Sequence, residues 1–557
     1  MNPIVKLLIF LIISLLFRTN TLICQTLPSG PQVLTFHSDI DDTEQPYGLY
    51  LPKNFNPNKK YPLVVMLHGA GSNHRLSLRR VFGKSNEVGA TDVETSRIFP
   101  AWKDIDYIVA SPYARGTAGY QGVPEKDVYD VLVDVKNRFP IDNDRVYLTG
   151  LSMGGGGTLW IGLTHPDIWA AIAPVCPAPP VGTEVFAPNA LNIPVHFFQG
   201  GADPVVNPEG TRKWVSSLKD LGSNVEYTEY PGIQHNSWEK AYQDENIFKW
   251  FAPFKRNLFP DTVRFVTDQY KYDSAYWVRL DKIIPGQTAD IKAILNHDNL
   301  IKVTTNQLES FTLQLKDHPH YSISKKTAIS IDGQLINLGI ITGTLSFEKI
   351  GKKWTAIKYS LSTQMKHQGQ GGPIFDGFSS RQVYVYGTKD SPDPEVLKTR
   401  IALALQAANW SVYRGEFLGR MMFFPRVISD KEVRPSDLES SNLILFGTRE
   451  SNSMITTDVT PISLTPDNLK SYGLIYIYPN NGHYIVVSSG LPWWTGRQEK
   501  GYRFMPLEVS GLSLMKDYLL FKGDVNSIEA EGYFDNNWKL GESQKLALKN
   551  SGVVSLF

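Results

Sequence analysis

The run YLTGLSMGGG, residues 147–156, holds a serine whose surroundings could turn it into a nucleophile. A hydroxyl is a weak nucleophile at neutral pH. It needs a neutral imidazole to take its proton and a carboxylate to hold that imidazole in one tautomer. Ser152 stands in Gly-x-Ser-x-Gly, after the strand-like Val146–Thr149 and before a run of small residues that can open a helix. A strand–turn–helix of this kind pushes the serine to the tip of a strained turn. Gly150 and Gly154 lack a Cβ, so strand and helix can close up on either side. Downstream, IPVHFFQGGADPVV ends an apolar strand in a turn that carries Asp203. VEYTEYPGIQHNSW supplies the next strand and a loop with His235. Alone, an Asp in a turn is a turn former and a His in a polar loop is a solvated residue. In this order, after successive strands, the three converge on the carboxyl edge of a parallel sheet, where such sheets build their sites. Asp203 is therefore assigned as the acid and His235 as the base. Glu209 and Asp244 are reserve acids. His165, in LTHPD, comes too early in the order and reads as a cap on the helix before Pro166.

Attack on a carbonyl creates an oxyanion that needs two donors. The amide of Met153, first in the helix after the serine, gives one, helped by the positive end of the helix. The second is expected from the loop after an early strand, LVVMLHGAGSN. Ala70 is assigned there with Gly71 in reserve, and His68 is read as ordering the loop. No cofactor or metal is called for. His318 and His320 are split by a proline and lack a third ligand. HQGQGGP, residues 367–373, lacks the Lys-Ser/Thr of a phosphate loop. Trp493 and Trp494 read as packing under a loop, in preference to an exposed sugar-stacking patch.

These residues need a sheet to hold them. YPLVVMLHG, DYIVASPY, RVYLTG, AAIAPVC and IPVHFFQGG predict five buried parallel strands, each short, apolar and bounded by Gly, Pro or Asp. DVYDVLVDVKNRF and EGTRKWVSSLKDLG predict helices between them. The alternation means a doubly wound α/β domain over residues 30–256, closed by a helix near Trp250. The texture then changes. TVRFVTDQY, AYWVRLDKI, LIKVTTNQL, SFTLQLKD and TAISIDGQLI alternate with period two and predict a small antiparallel β-sandwich over 257–362. From 365 to 557, strands such as RQVYVYG, NLILFGTRE and HYIVVSSG alternate with the helical LKTRIALALQAANW. A second small α/β domain of unassigned role is predicted there.

Composition agrees with this division. A chain of 557 residues suggests about three domains, and 42% hydrophobic residues suffice for several cores. The net charge is +1 with no basic block, which argues against a nucleic-acid partner. Residues 1–24 read as a signal peptide: Lys6, then the apolar Leu7–Phe17, too short to span a bilayer. Cleavage is expected near Cys24, with export to the periplasm or beyond. Ile23 before Cys24 counts against a lipid anchor, whose signal wants a small residue there. Removal of Cys24 leaves Cys176 alone, so no intrachain disulfide can form. In AIAPVCPAP it reads as a small core residue.

The runs SPYARGTAGYQGVPEKDVYDVL, IDNDRVYLTGLSMGGGG, HPDIWAAIAPV, GGADPVV and GIQHNSW together resemble secreted α/β-hydrolase esterases. These are related to polyhydroxybutyrate depolymerases and to feruloyl and acetylxylan esterases. The resemblance covers about residues 45–255. It implies an α/β-hydrolase fold with Ser152 as nucleophile, Asp203 as acid and His235 as base, in agreement with the residue order. The tail, from TVRFVTDQY to GYFDNNW, is similar to that of large exported bacterial hydrolases labelled predicted peptidases. The leading expectation is an exported esterase working through an acyl-enzyme. The short connection from Ser152 to Asp203 leaves no room for a large lid, which suits esters on bulky material such as polysaccharide. Two alternatives stand beside it. A prolyl oligopeptidase-type serine peptidase uses the same triad order, although such enzymes usually carry a β-propeller ahead of the catalytic domain. A non-catalytic surface binding protein would be expected to lack a triad member, and none is missing.

Overall fold

The computed structural model describes residues 27–101, 103–411, 423–456, 461–498 and 506–557. The signal-peptide reading and Cys24 lie outside them.

The first sheet has eight strands: β1 (Gly30–Ser38), β2 (Thr43–Leu51), β3 (Tyr61–Leu67), β4 (Ile108–Pro112), β5 (Ile141–Leu151), β6 (Ala171–Val175), β7 (Val195–Gly200) and β8 (Val225–Tyr230). Their order is β1-β2-β4-β3-β5-β6-β7-β8. β3 to β8 run parallel, while β1 and β2 form an antiparallel edge. Every residue of β3, β4 and β6 is buried, as continuous apolar runs in a sheet covered on both faces require. The helix Val123–Arg138 starts with Pro124 in its first turn and buries Val128, Val131, Leu132 and Val135 along one stripe. The helix Pro208–Asp220 is capped by the Asn207 side chain and buries Val215 and Leu218. The helix Asn246–Phe251 ends this part of the chain.

Residues 262–357 form two five-stranded sheets that share one core, built from Phe265, Ile291 and Val303 on one side and Leu280, Phe311 and Phe347 on the other. The predicted pairing was antiparallel throughout. One pair differs: Leu300–Val303 runs parallel to Ala328–Ile331. Between these strands the chain crosses to the opposite sheet as Leu308–Gln314 and then returns. Such a crossover brings it back in the same direction.

The C-terminal part holds a seven-stranded mixed sheet. Arg426–Ser429, Gln382–Tyr386, Asn442–Phe446 and His483–Gly490 are parallel. Tyr472–Asn480, Tyr518–Lys522 and Ile528–Gly532 continue it antiparallel. Trp493 is 1% exposed and its indole N–H donates to the Glu508 carbonyl at 2.7 Å. Trp494 packs edge-on against it. The pair is core, not a surface platform. His318 is buried edge-on against Trp277, while His320 faces Asp261 at 3.4 Å.

Polar contacts join the parts. Buried Glu125, in the first turn of its helix, accepts from Lys271 Nζ at 2.7 Å and from the Tyr272 hydroxyl. Asn189 and Val266 exchange two hydrogen bonds. Arg381 grips Asp42, and Tyr270 donates to Asn536 at 2.7 Å. No described helix is long and apolar enough to cross a membrane.

Candidate active site

Ser152 sits between β5 and the helix Met153–Thr164 with φ 57° and ψ −117°. A non-glycine residue held there is strained, and only a rigid surround keeps it so. That surround is built from glycine. A Cβ on Gly150 would lie 2.3 Å from the Gly154 carbonyl oxygen. One on Gly154 would lie 2.3 Å from that of Leu67. The end of β6 clamps the turn from the other side. The Ser152 amide donates to Val175 O at 2.9 Å, and the Ser152 carbonyl accepts from Ala178 at 3.1 Å.

His235 comes from the loop after β8. Its Nε2 lies 3.0 Å from Ser152 Oγ and its Nδ1 lies 2.8 Å from Asp203 Oδ2. Asp203, in the turn after β7, has a fully buried side chain, whereas the His235 side chain is 22% exposed. The carboxylate is thus shielded while the imidazole keeps an edge open to solvent. Its oxygens are well supplied. Oδ1 accepts from the Val205 and Val206 amides at 2.8 and 2.9 Å, and Oδ2 also accepts from Gln199 Nε2 at 3.1 Å. Three side chains separated by 51 and 32 residues meet in one hydrogen-bonded line at the carboxyl edge of the sheet.

Gln199 escaped the sequence reading. It is fully buried at the end of β7. Its amide N–H also reaches Val206 O at 3.1 Å, and its carbonyl accepts from the Thr211 hydroxyl at 2.9 Å. Thr211 therefore fixes which end of the amide faces Asp203. The available signal was one amide in the otherwise apolar PVHFFQGG, since a buried polar side chain must find partners.

The loop after β3 borders the serine. A Cβ on Gly69 would come within 3.5 Å of the Ser152 Cβ. Gly71, the reserve donor, spends its amide on Thr117 Oγ1 at 2.8 Å. That leaves Ala70 beside Met153 as the pair of amides to consider. His68 is fully buried, with ring nitrogens 2.8 Å from the carbonyl oxygens of Gly69 and Tyr113. The Tyr120 hydroxyl donates to its carbonyl at 3.0 Å. Burial holds its pKa below the usual histidine range. It orders the loop.

The reserve acids lie elsewhere. Glu209 is paired with Arg212 at 3.2 Å, and Asp244 sits in a left-handed kink. His165 is the residue that closes the helix Met153–Thr164. Its ring stands edge-on to Tyr129 and Tyr272. Cys176 is fully buried at the end of β6, and burial pushes its thiol up to about 12. Its sulfur lies within 4.8 Å of ligand-type atoms of Asp203 and His235, a proximity the sequence did not reveal.

Residues 56–248, which carry β3 to β8, match the phospholipase/carboxylesterase family, and that segment has an α/β-hydrolase fold. The chain is 33% identical over 146 residues to a poly(3-hydroxybutyrate) depolymerase of Ralstonia pickettii, a match covering 23% of this chain and 27% of that protein. It is 30% identical over 153 residues to acyl-protein thioesterase 1 of Neurospora crassa, covering 25% and 59%. It is 26% identical over 188 residues to feruloyl esterase D of the same fungus, covering 33% and 60%. The chain thus spans between about a quarter and three fifths of the length of these relatives.

Proposed function

We propose that this protein is a serine hydrolase that cleaves carboxylic esters. The observation that carries the reading is the unbroken line Ser152 Oγ, His235, Asp203, at 3.0 and 2.8 Å. His235 takes the serine proton as Oγ attacks the ester carbonyl. Asp203 holds Nδ1 protonated, so Nε2 is free to accept, and it stabilises the imidazolium that forms. The amides of Met153 and Ala70 receive the oxyanion, each donor worth about 3–4 kcal/mol of barrier. His235 returns the proton to the leaving alcohol, an acyl-enzyme remains on Ser152, and water releases it by the same steps. Between Ser152 and Asp203 the chain holds only the helix Met153–Thr164, β6, the 3-10 stretch Thr183–Asn192 and β7. This connection holds no large insertion, and an acyl group carried on polysaccharide is the substrate class that suits so short a link, in an exported protein.

The test is turnover of p-nitrophenyl acetate by the full chain and by Ser152→Ala, with a peptide p-nitroanilide as the contrasting substrate. The expected result is ester cleavage that falls by at least ~10³-fold in the variant, as loss of a triad member predicts, with an unchanged melting temperature. Equal turnover by both proteins, or cleavage of the anilide alone, would sink the esterase reading.

A further inference from the structure

The second amide proposed to receive the oxyanion belongs to Ala70, in the turn between β3 and the helix His74–Val81. A backbone N–H points where its peptide planes are held, and each plane is rigid, with C=O and N–H on opposite sides. The plane of Gly69 and Ala70 is held through its carbonyl. Gly69 O accepts from the Ser72 amide at 3.2 Å and lies 2.8 Å from His68 Nδ1. The Ala70 N–H is thereby turned the other way. The next plane, of Ala70 and Gly71, is held through its N–H, which donates to Thr117 Oγ1 at 2.8 Å. Ala70 stands between two pinned planes, and a side chain from outside the turn holds one of them.

The surroundings keep Thr117 in place. It is 1% exposed and belongs to residues 113–122, the loop after β4. Ala114 and Arg115 in that loop are left-handed at φ 45° and 59°, which only a rigid surround maintains. The loop grips the turn at two further points. Tyr113 O lies 2.8 Å from His68 Nε2, and the Tyr120 hydroxyl donates to the His68 carbonyl at 3.0 Å. Ala118, the neighbour of Thr117, packs into the core of the C-terminal part. We propose that Thr117 is a positioning residue for the oxyanion site. Its hydroxyl keeps the Gly71 amide occupied and so holds the Ala70 amide in its working direction. Without it the Gly71 N–H must find another acceptor, and the turn moves with it. The inference rests on the esterase reading and deepens it.

The experiment compares the full chain with Thr117→Val, Thr117→Ser and Thr117→Ala on p-nitrophenyl acetate. Each protein is also inhibited with trifluoroacetophenone, whose carbonyl oxygen becomes an oxyanion when a serine adds to it. Thr117→Val keeps the shape and loses the acceptor. It should lower kcat about tenfold or more and leave KM within about twofold, because a misplaced donor is missed in the transition state. The inhibition constant of the ketone should rise by the same factor, a change that a merely stabilising hydroxyl would not produce. Thr117→Ser retains the acceptor and should keep kcat within about twofold of the parent. Thr117→Ala carries the same expectation as the valine variant and decides the matter if that one fails to fold. Unchanged kcat and inhibition constant in the valine and alanine variants, or a serine variant as slow as the valine one, overturns the inference. Ser152-dependent turnover by the parent is scored first. Its absence defeats the esterase reading and this inference together, whereas turnover that Thr117→Val leaves intact defeats this inference alone.

Discussion

At the scale of single residues, the site depends on side chains that act through others. Gln199 is fully buried, and its amide shares Asp203 Oδ2 with His235. Removing it leaves one carboxylate oxygen short of a donor and strands the Thr211 hydroxyl. A hydrogen bond to a charged group is worth about 1.5–3 kcal/mol. Gln199→Leu is therefore expected to lower kcat about tenfold or more with KM little changed, measured on a soluble ester. An unaltered kcat would remove Gln199 from the site's machinery. His196 gives a pH prediction of known sign. Burial lowers its pKa to about 4 from 6.5, with its ring stacked on Phe198 and its Nε2 2.8 Å from Thr228 Oγ1. Above pH 6.5 neither the folded nor the unfolded form binds a proton here. As pH falls from 6.5 toward 4, the unfolded chain takes one up and the folded chain does not, so stability is lost over that window. In His196→Phe the urea midpoint should fall less steeply between pH 6.5 and 4 than in the parent. Identical slopes would exclude this residue as a contributor.

At the scale of elements, the loop after β4 is braced by buried charge. The Arg115 side chain, with no exposed surface, pairs with Asp127 at 2.8 Å and Asp41 at 2.6 Å. It ties the loop after β4 to the helix Val123–Arg138 and to the β1–β2 turn. Asp127→Ala would remove one of the two carboxylates paired with the buried guanidinium, a loss of about 3–5 kcal/mol. Chemical denaturation should show this as a lower midpoint with an unchanged m-value. A cost below 1 kcal/mol would mean that water or Asp41 replaces the lost carboxylate. The elements themselves were legible where the pattern was strong. Tyr61–Leu67 is a continuous apolar run, and burial on both faces leaves a parallel strand no other composition. The parallel pair Leu300–Val303 with Ala328–Ile331 was not legible, because period-two alternation reports which face a residue takes and says nothing of the neighbour's direction.

At the scale of the whole molecule, the three parts share polar and apolar contacts. Tyr272, beyond the last helix of the hydrolase part, belongs to that part's own core. Lys271 and Tyr272 are also the partners of buried Glu125. A chain ended at residue 256 would expose the Tyr272 site and leave the Glu125 carboxylate buried without them. It is expected to melt well below the full chain or to accumulate as insoluble protein, read by thermal scanning of the soluble fraction. A truncated chain with the full melting temperature would show that the contacts across this boundary carry no stability.

That Ser152, Asp203 and His235 meet at one sheet edge could be read from the sequence, since each follows a strand whose apolar composition and glycine-bounded end are local properties. The sequence also placed Met153 at a helix start and Cys176 in a buried strand. It could not place the sulfur of Cys176 beside His235, the amide of Gln199 on Asp203, or the Gly71 amide on Thr117. Local composition determines which strand or turn a residue enters. Which atoms then meet depends on packing between segments distant in the chain, and only the folded structure decides that.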